Sequence, residues 1–150
     1  NKAFTGFESD EIIGPWLLAS EANNPLFKQF LDAYQDRVFV KEDGELDLIP
    51  NPIILSEILS SNGFENNGKF QNLNDIVIYP KQYFCPKDFS TGVVEFSPEN
   101  YCIHYFNGGW LPLKLRLKHG FIHMLYQIFS KEIAAKILYA LERIRCRNGR

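Results

Sequence analysis

The stretch Tyr101-Cys102-Ile103-His104-Tyr105-Phe106-Asn107-Gly108-Gly109-Trp110 sets one histidine in an apolar run and follows it at once with a glycine-rich turn. The apolar part, residues 101–106, reads as a short strand. A strand end is a place where an imidazole can be presented into a cleft. Gly108 and Gly109 let backbone approach a ligand closely, and Trp110 offers a flat apolar platform. Taken alone, a histidine in such a setting is more often structural than functional.

Working outward, Val93–Phe96 is a second short strand, and Ile76–Tyr79 a third that is buried and stops at Pro80. Between them lies an irregular loop, residues 80–86. Further upstream, Asn24-Pro25 and Asn51-Pro52 are helix starts, with an Asn that accepts backbone N–H groups and a Pro preset for the first turn. Leu26, Phe27, Phe30, Leu31 and Tyr34 then recur at helical spacing, which predicts a helix over 25–36. Ile53, Ile54, Leu55, Ile58 and Leu59, closed by Gly63, predict another over 52–61. Asp43-Gly44 marks a turn that suits a hairpin tip. Ile12–Ser20 is extended but interrupted by Gly14-Pro15, so it does not form an uninterrupted central strand.

Downstream of Pro112 the pattern turns helical. Ile122, Leu125, Phe129, Ile133, Ile137 and Leu141 lie three or four apart, and Lys131, Lys136, Arg143, Arg145 and Arg147 fill the other face. This basic amphipathic segment either docks on the domain as a helix or helix pair, or lies on an anionic membrane surface. Residues 1–112 hold 7 Lys+Arg against 16 Asp+Glu, while residues 113–150 hold 9 against 2. The acidic body excludes a nucleic-acid-binding domain, which needs a concentrated basic face.

With 150 residues and 45% hydrophobic content the chain can bury a real core. The 13 Phe and 7 Tyr suit a packed interior and carbohydrate-facing surfaces equally. The chain opens at Asn1 without a charged-then-apolar leader, and we expect a fragment with no secretory signal. No apolar run is long enough to span a bilayer. Cys85, Cys102 and Cys146 lack the C-x-x-C pairs of a zinc knuckle, and a reduced, cytoplasmic setting is the simplest reading. Cys85 and Cys102 are expected as buried thiols, with a disulfide as the lesser option. His119 and His123 have helical two-ligand spacing but no H-E-x-x-H glutamate and no third ligand nearby, so solvated or lipid-facing histidines are favoured over a metal pair.

Ile103-His104-Tyr105-Phe106-Asn107-Gly108-Gly109-Trp110 resembles the I-H-H-F-x-x-S-W segment near the C-terminus of glycosyltransferase family 32, whose module is the DXD sugar-binding domain. Gly6-Phe7-Glu8, Asn24-Pro25-Leu26-Phe27-Lys28, Pro50-Asn51-Pro52, Ile54-Leu55-Ser56-Glu57-Ile58-Leu59 and Ile78-Tyr79-Pro80-Lys81-x-Tyr83-Phe84-Cys85-Pro86-Lys87 look like that family too, in order over residues 3 to about 112. The resemblance implies an α/β fold: residues 1–112 as the C-terminal half of a Rossmann-like, GT-A-type catalytic domain, followed by the amphipathic helical tail, 113–150. It implies a metal-dependent, retaining transfer of a hexose from a nucleotide-sugar donor to a saccharide or lipid-linked acceptor, of the capsular polysaccharide type. Under it, His104 is a ligand of Mn2+ (or Mg2+), which neutralises charge on the departing nucleotide. Asn107, Gly108 and Trp110 wall the donor or acceptor pocket, and Asn51 hydrogen-bonds a sugar hydroxyl.

Three departures stand against the family pattern. Tyr105 replaces the second histidine, and Gly109 replaces the serine. The Asp-x-Asp motif is absent; Glu8-Ser9-Asp10 and Glu45-Leu46-Asp47 come nearest, and neither is expected to follow an apolar strand with the family's Tyr-Gly-Gly lead. The metal's carboxylates are therefore expected upstream of Asn1, no residue is named as a nucleophile, and the isolated chain is expected to be inactive. A cytoplasmic protein, peripheral at the inner membrane face through 113–150, follows. The alternative is a non-catalytic binding module whose basic tail docks on a membrane or a partner. A hydrolase is weaker, since no G-x-S-x-G elbow is present.

Overall fold

The computed structural model describes residues 2–109 and 111–148, with residues 145–148 described for their helical backbone alone. The chain divides into two compact units, Asn1–Pro86 with Phe96–His104, and Lys87–Glu95 with Tyr105–Arg150.

The first unit is a mixed α/β layer. Strands β1 (Ala3–Phe7), β2 (Ile13–Ser20), β3 (Gln71–Asn72) and β4 (Ile76–Tyr79) form one sheet in the order β2-β1-β4-β3. β1 runs antiparallel to β2 and parallel to β4, and β3 is antiparallel to β4. The β2-to-β4 connection carries α1 (Pro25–Asp32) and α2 (Asn51–Ser60). Leu26, Leu55 and Leu59 from these helices share one core with Ala3, Phe7, Ile13, Ile76 and Ile78 from the sheet. Because strand side chains alternate, Phe4 and Tyr79 sit on the sheet face opposite to Ala3 and Ile78. Helix α3 (Lys81–Phe84) packs against β1.

Pro15 acts as its chemistry requires. Register runs Phe4 to Ala19 and then Gly6 to Gly14, so residues 15–18 of β2 bulge out opposite Thr5 alone. β2 is an edge strand, where a missing N–H is tolerated. The hydroxyl of the fully buried Thr5 donates to the carbonyl of Leu17 (2.9 Å), inside the bulge, and lies 3.2 Å from that of Gly14.

Asn24 caps α1 as expected, accepting from the backbone N–H groups of Leu26 and Phe27. The helix closes at Asp32 rather than 36, and residues 33–37 continue as tight turns. α2 starts one residue early, at Asn51, with Pro50 in the cap position and no side-chain cap. Asn51 is thus inside the first turn and is not the cap. Its end matches expectation: Gly63 is left-handed (φ 85°), and the Phe64 N–H reaches back to the Leu59 carbonyl. Val40 bridges Leu46 around a left-handed Gly44, the expected hairpin tip.

Two expected strands do not form. Val93–Phe96 makes a single bridge, Val94 to Lys87. Tyr101–Phe106 has no regular structure, so His104 is not on a strand. The segment pairs with none of the four strands of the sheet. Side chains and α3 hold it instead. The Tyr101 N–H donates to the Tyr83 carbonyl (2.8 Å), and Asn100 Nδ2 donates to the Cys102 carbonyl (2.7 Å). Phe106 adopts φ 55°, which ends extended geometry. Conversely, Lys81–Phe84 is a helical turn where a loop was expected. Cys85 is buried as expected, but Cys102 is exposed.

The second unit holds α4 (Leu113–Ile128) and α5 (Lys131–Asn148), broken at Phe129-Ser130. Leu125 and Ala134 are buried in this unit, yet Phe129, Ile133 and Leu141 of the apolar stripe stay exposed. Among the described residues no helix is long and apolar enough to cross a membrane.

Candidate functional site

His104 is half-buried in the first unit, and its ring stacks on Trp16, with centroids 5.2 Å apart and planes 27° from parallel. Trp16 belongs to the β2 bulge and covers Gly14 so closely that a Cβ there would lie 2.1 Å from the indole Nε1. That Nε1 is buried and makes no hydrogen bond among the described residues.

The other predicted residues are spread out. Asn51 is exposed in the first unit, and its Oδ1 accepts from the Tyr34 hydroxyl (2.7 Å). Asn107 and Gly108 belong to the second unit and line a cleft there of about 350 Å³. Trp110 lies outside the described residues. The structure thus divides these residues between the two units, His104 and Asn51 in the first, Asn107 and Gly108 in the second.

On the face of the sheet opposite α1 and α2, the first unit holds a cleft of about 260 Å³ lined by Phe4, Tyr79, Tyr83, Phe84 and Tyr101. Phe84 is buried and Tyr101 is 79% exposed, so the cleft has an apolar floor and an open aromatic wall. Tyr83 and Tyr101 stack at 6.4 Å with planes 20° apart; Phe4 and Phe84 stack at 5.8 Å and 28°. Gly6 makes room for this, since a Cβ there would meet the Phe84 ring at 2.8 Å. No single sequence motif marks the cleft, because its rings come from β1, β4, α3 and the segment after Asn100. The aromatic surplus was the available signal.

On the other side of the β1–β2 turn, Glu8, Glu11, Ile53, Ser56 and Glu57 line a groove of about 560 Å³. Burial pushes the Glu8 carboxyl above its ordinary pKa. Glu8-Ser9-Asp10 follows the strand β1, Ala3–Phe7, which lacks the Tyr-Gly-Gly lead. Asp10 is 80% exposed and pairs loosely with Lys81 at 3.5 Å. Among the described residues no group of three His, Cys, Asp or Glu could hold a metal ion.

No protein-family model, curated protein or solved structure matches this chain.

Proposed function

We propose that this chain is part of a metal-dependent, retaining glycosyltransferase of the Rossmann-like GT-A type, with a nucleotide-sugar donor and a saccharide or lipid-linked acceptor, acting in polysaccharide assembly. The aromatic cleft carries the reading. A pyranose ring presents apolar C–H faces and a rim of hydroxyls; stacked Tyr83 and Tyr101 suit the faces, and phenolic hydroxyls suit the rim. Tyr79, Tyr83 and Phe84 belong to the Ile78–Lys87 segment, which is also one of the segments that resemble the family. The mixed sheet with its parallel β1–β4 pair supports the reading at the level of architecture.

His104 remains the residue assigned to Mn2+ (or Mg2+), since imidazole suits manganese beside carboxylates. The described residues around it do not complete such a site, so its carboxylate ligands would have to come from outside this chain.

Saturation-transfer NMR with a panel of hexoses and oligosaccharides tests the cleft. Transfer to at least one hexose-containing ligand is expected, reduced about tenfold in affinity by Tyr101→Ala through loss of a stacking partner. Absence of transfer across the panel would contradict the saccharide reading.

A non-catalytic module that docks on anionic membrane is the second reading. It is favoured by Leu113, Leu117, Phe121, Met124, Ile128 and Leu141, all exposed on helices that also carry half of the chain's 16 Lys and Arg. Sedimentation with vesicles of phosphatidylcholine, with and without phosphatidylserine, decides it; equal pelleting in both would count against it.

A further inference from the structure

The second unit contains a cleft of about 350 Å³ whose ionisable lining is cationic or basic: Lys87, Arg116, His119 and His123, with no carboxylate among its lining residues. Arg116, His119 and His123 recur at i, i+3 and i+7 on α4, so one helix face presents all three. Opposite them, residues 87–94 fold back as a bridged loop. Lys87 pairs with Val94, the Gly92 N–H donates to the Asp88 carbonyl (2.8 Å), and Thr91 donates to the Asp88 carboxylate through both N–H and hydroxyl. Two acids of this unit are drawn to other work: Asp88 holds its own loop, and Glu95 pairs with Lys131.

The histidines are held in place. His123 Nε2 lies 3.1 Å from the Phe89 carbonyl, and a carbonyl only accepts, so Nε2 carries the proton. Gly92, left-handed at φ 72°, leaves the space this ring occupies; a Cβ there would come within 2.5 Å of it. His119 meets the Phe89 ring edge-on at 5.1 Å and lies 6.3 Å from His123. Lys87 Nζ donates to the Tyr105 carbonyl (2.9 Å), which fixes the ammonium at the rim. Gly120 also lines the cleft and has no atom within 4 Å of where its Cβ would be, so space stays open beside it.

We propose that this cleft binds the phosphate group of an organic phosphate, with Lys87, Arg116 and His119 on the phosphate oxygens, His123 beside them, and Phe89, Leu111 and Leu117 on the attached body. Guanidinium geometry matches phosphate oxygens in pairs, and the volume lies in the range of small-ligand sites. The proposal rests on the second unit alone and is independent of the transferase reading. A soluble metabolite and a lipid headgroup both carry such a phosphate, and the test separates the two.

The intact chain is titrated with inorganic pyrophosphate and, separately, with monomeric dihexanoyl phosphatidic acid, while the imidazole resonances of His119 and His123 are followed by NMR. Saturable shifts of both histidines with at least one probe are expected. Tighter binding of the phosphatidic acid identifies a lipid headgroup; tighter binding of pyrophosphate identifies a soluble phosphate. Arg116→Ala, an exposed position that leaves the fold's core untouched, should weaken binding about tenfold, as loss of a charge-assisted hydrogen bond does. Lys118→Ala, which removes the same charge from α4 outside the cleft, should not. No saturable shift with either probe, or equal weakening by Arg116→Ala and Lys118→Ala, would overturn the proposal.

Discussion

The imidazole of His104 lies nearly flat on the indole of Trp16, 5.2 Å from centroid to centroid. That contact depends on features far apart in sequence. Trp16 is free to turn toward His104 because Pro15 forces β2 to bulge, and Gly14 leaves room for the indole.

Offset ring pairs contribute about 0.5–1.5 kcal/mol beyond the area they bury. His104→Phe should therefore keep the stability of the parent, while His104→Ala should lose about that amount, both read by urea unfolding. A role for the imidazole itself would show separately: His104→Phe keeps the fold but should abolish metal-dependent activity of the natural full-length protein. Equal stability of His104→Ala and the parent would mean that the stack contributes nothing.

Thr5 offers a cleaner test of the bulge. Its hydroxyl is buried and serves the Gly14 and Leu17 carbonyls, and valine matches its shape without a donor. Thr5→Val should cost about 1–3 kcal/mol, the penalty for leaving a buried polar group unsatisfied. Chemical denaturation measures it directly; a loss below about 0.5 kcal/mol would show that water or a shift of β2 replaces the bond.

Local chemistry made much of the first unit legible. The Asn24-Pro25 start, the Gly63 stop, the Asp43-Gly44 tip and the Ile76–Tyr79 strand each follow from residues within a few positions, and each is present. β1 escaped because Ala3-Phe4-Thr5-Gly6-Phe7 is short and holds a glycine that only tertiary packing against Phe84 explains. Tyr101–Phe106 misled because its apolar run suits a strand, yet the segment pairs with none of the four strands and is held instead at the Tyr83 carbonyl and by the Asn100 side chain. The aromatic cleft and the basic cleft were illegible for the same reason: each is assembled from segments whose spacing along the chain carries no signal. His119 and His123 were visible as a pair, but Lys87, from the folded-back loop, and Asn107, from the segment before α4, become their neighbours only in the folded chain.

Burial raises the folded-state pKa of Glu8 above its unfolded value, so the folded chain holds this proton more tightly. Stability from this group is greatest at low pH and falls as pH rises from the ordinary glutamate value through the raised one. Glu8→Gln removes the cost of the buried charge. It should melt higher than the parent at pH 7, with the gap closing as pH drops through the carboxylate range. A gap that is unchanged between pH 7 and pH 3.5 would contradict the assignment.

Release of nucleoside diphosphate from a panel of nucleotide sugars by the natural full-length protein tests glycosyl transfer most directly. Manganese-dependent release from at least one donor, lost in His104→Phe although that variant remains folded, is the expected result. No release from any donor with manganese or magnesium present would contradict the transferase reading, and unchanged manganese-dependent release in His104→Phe would remove His104 from the metal.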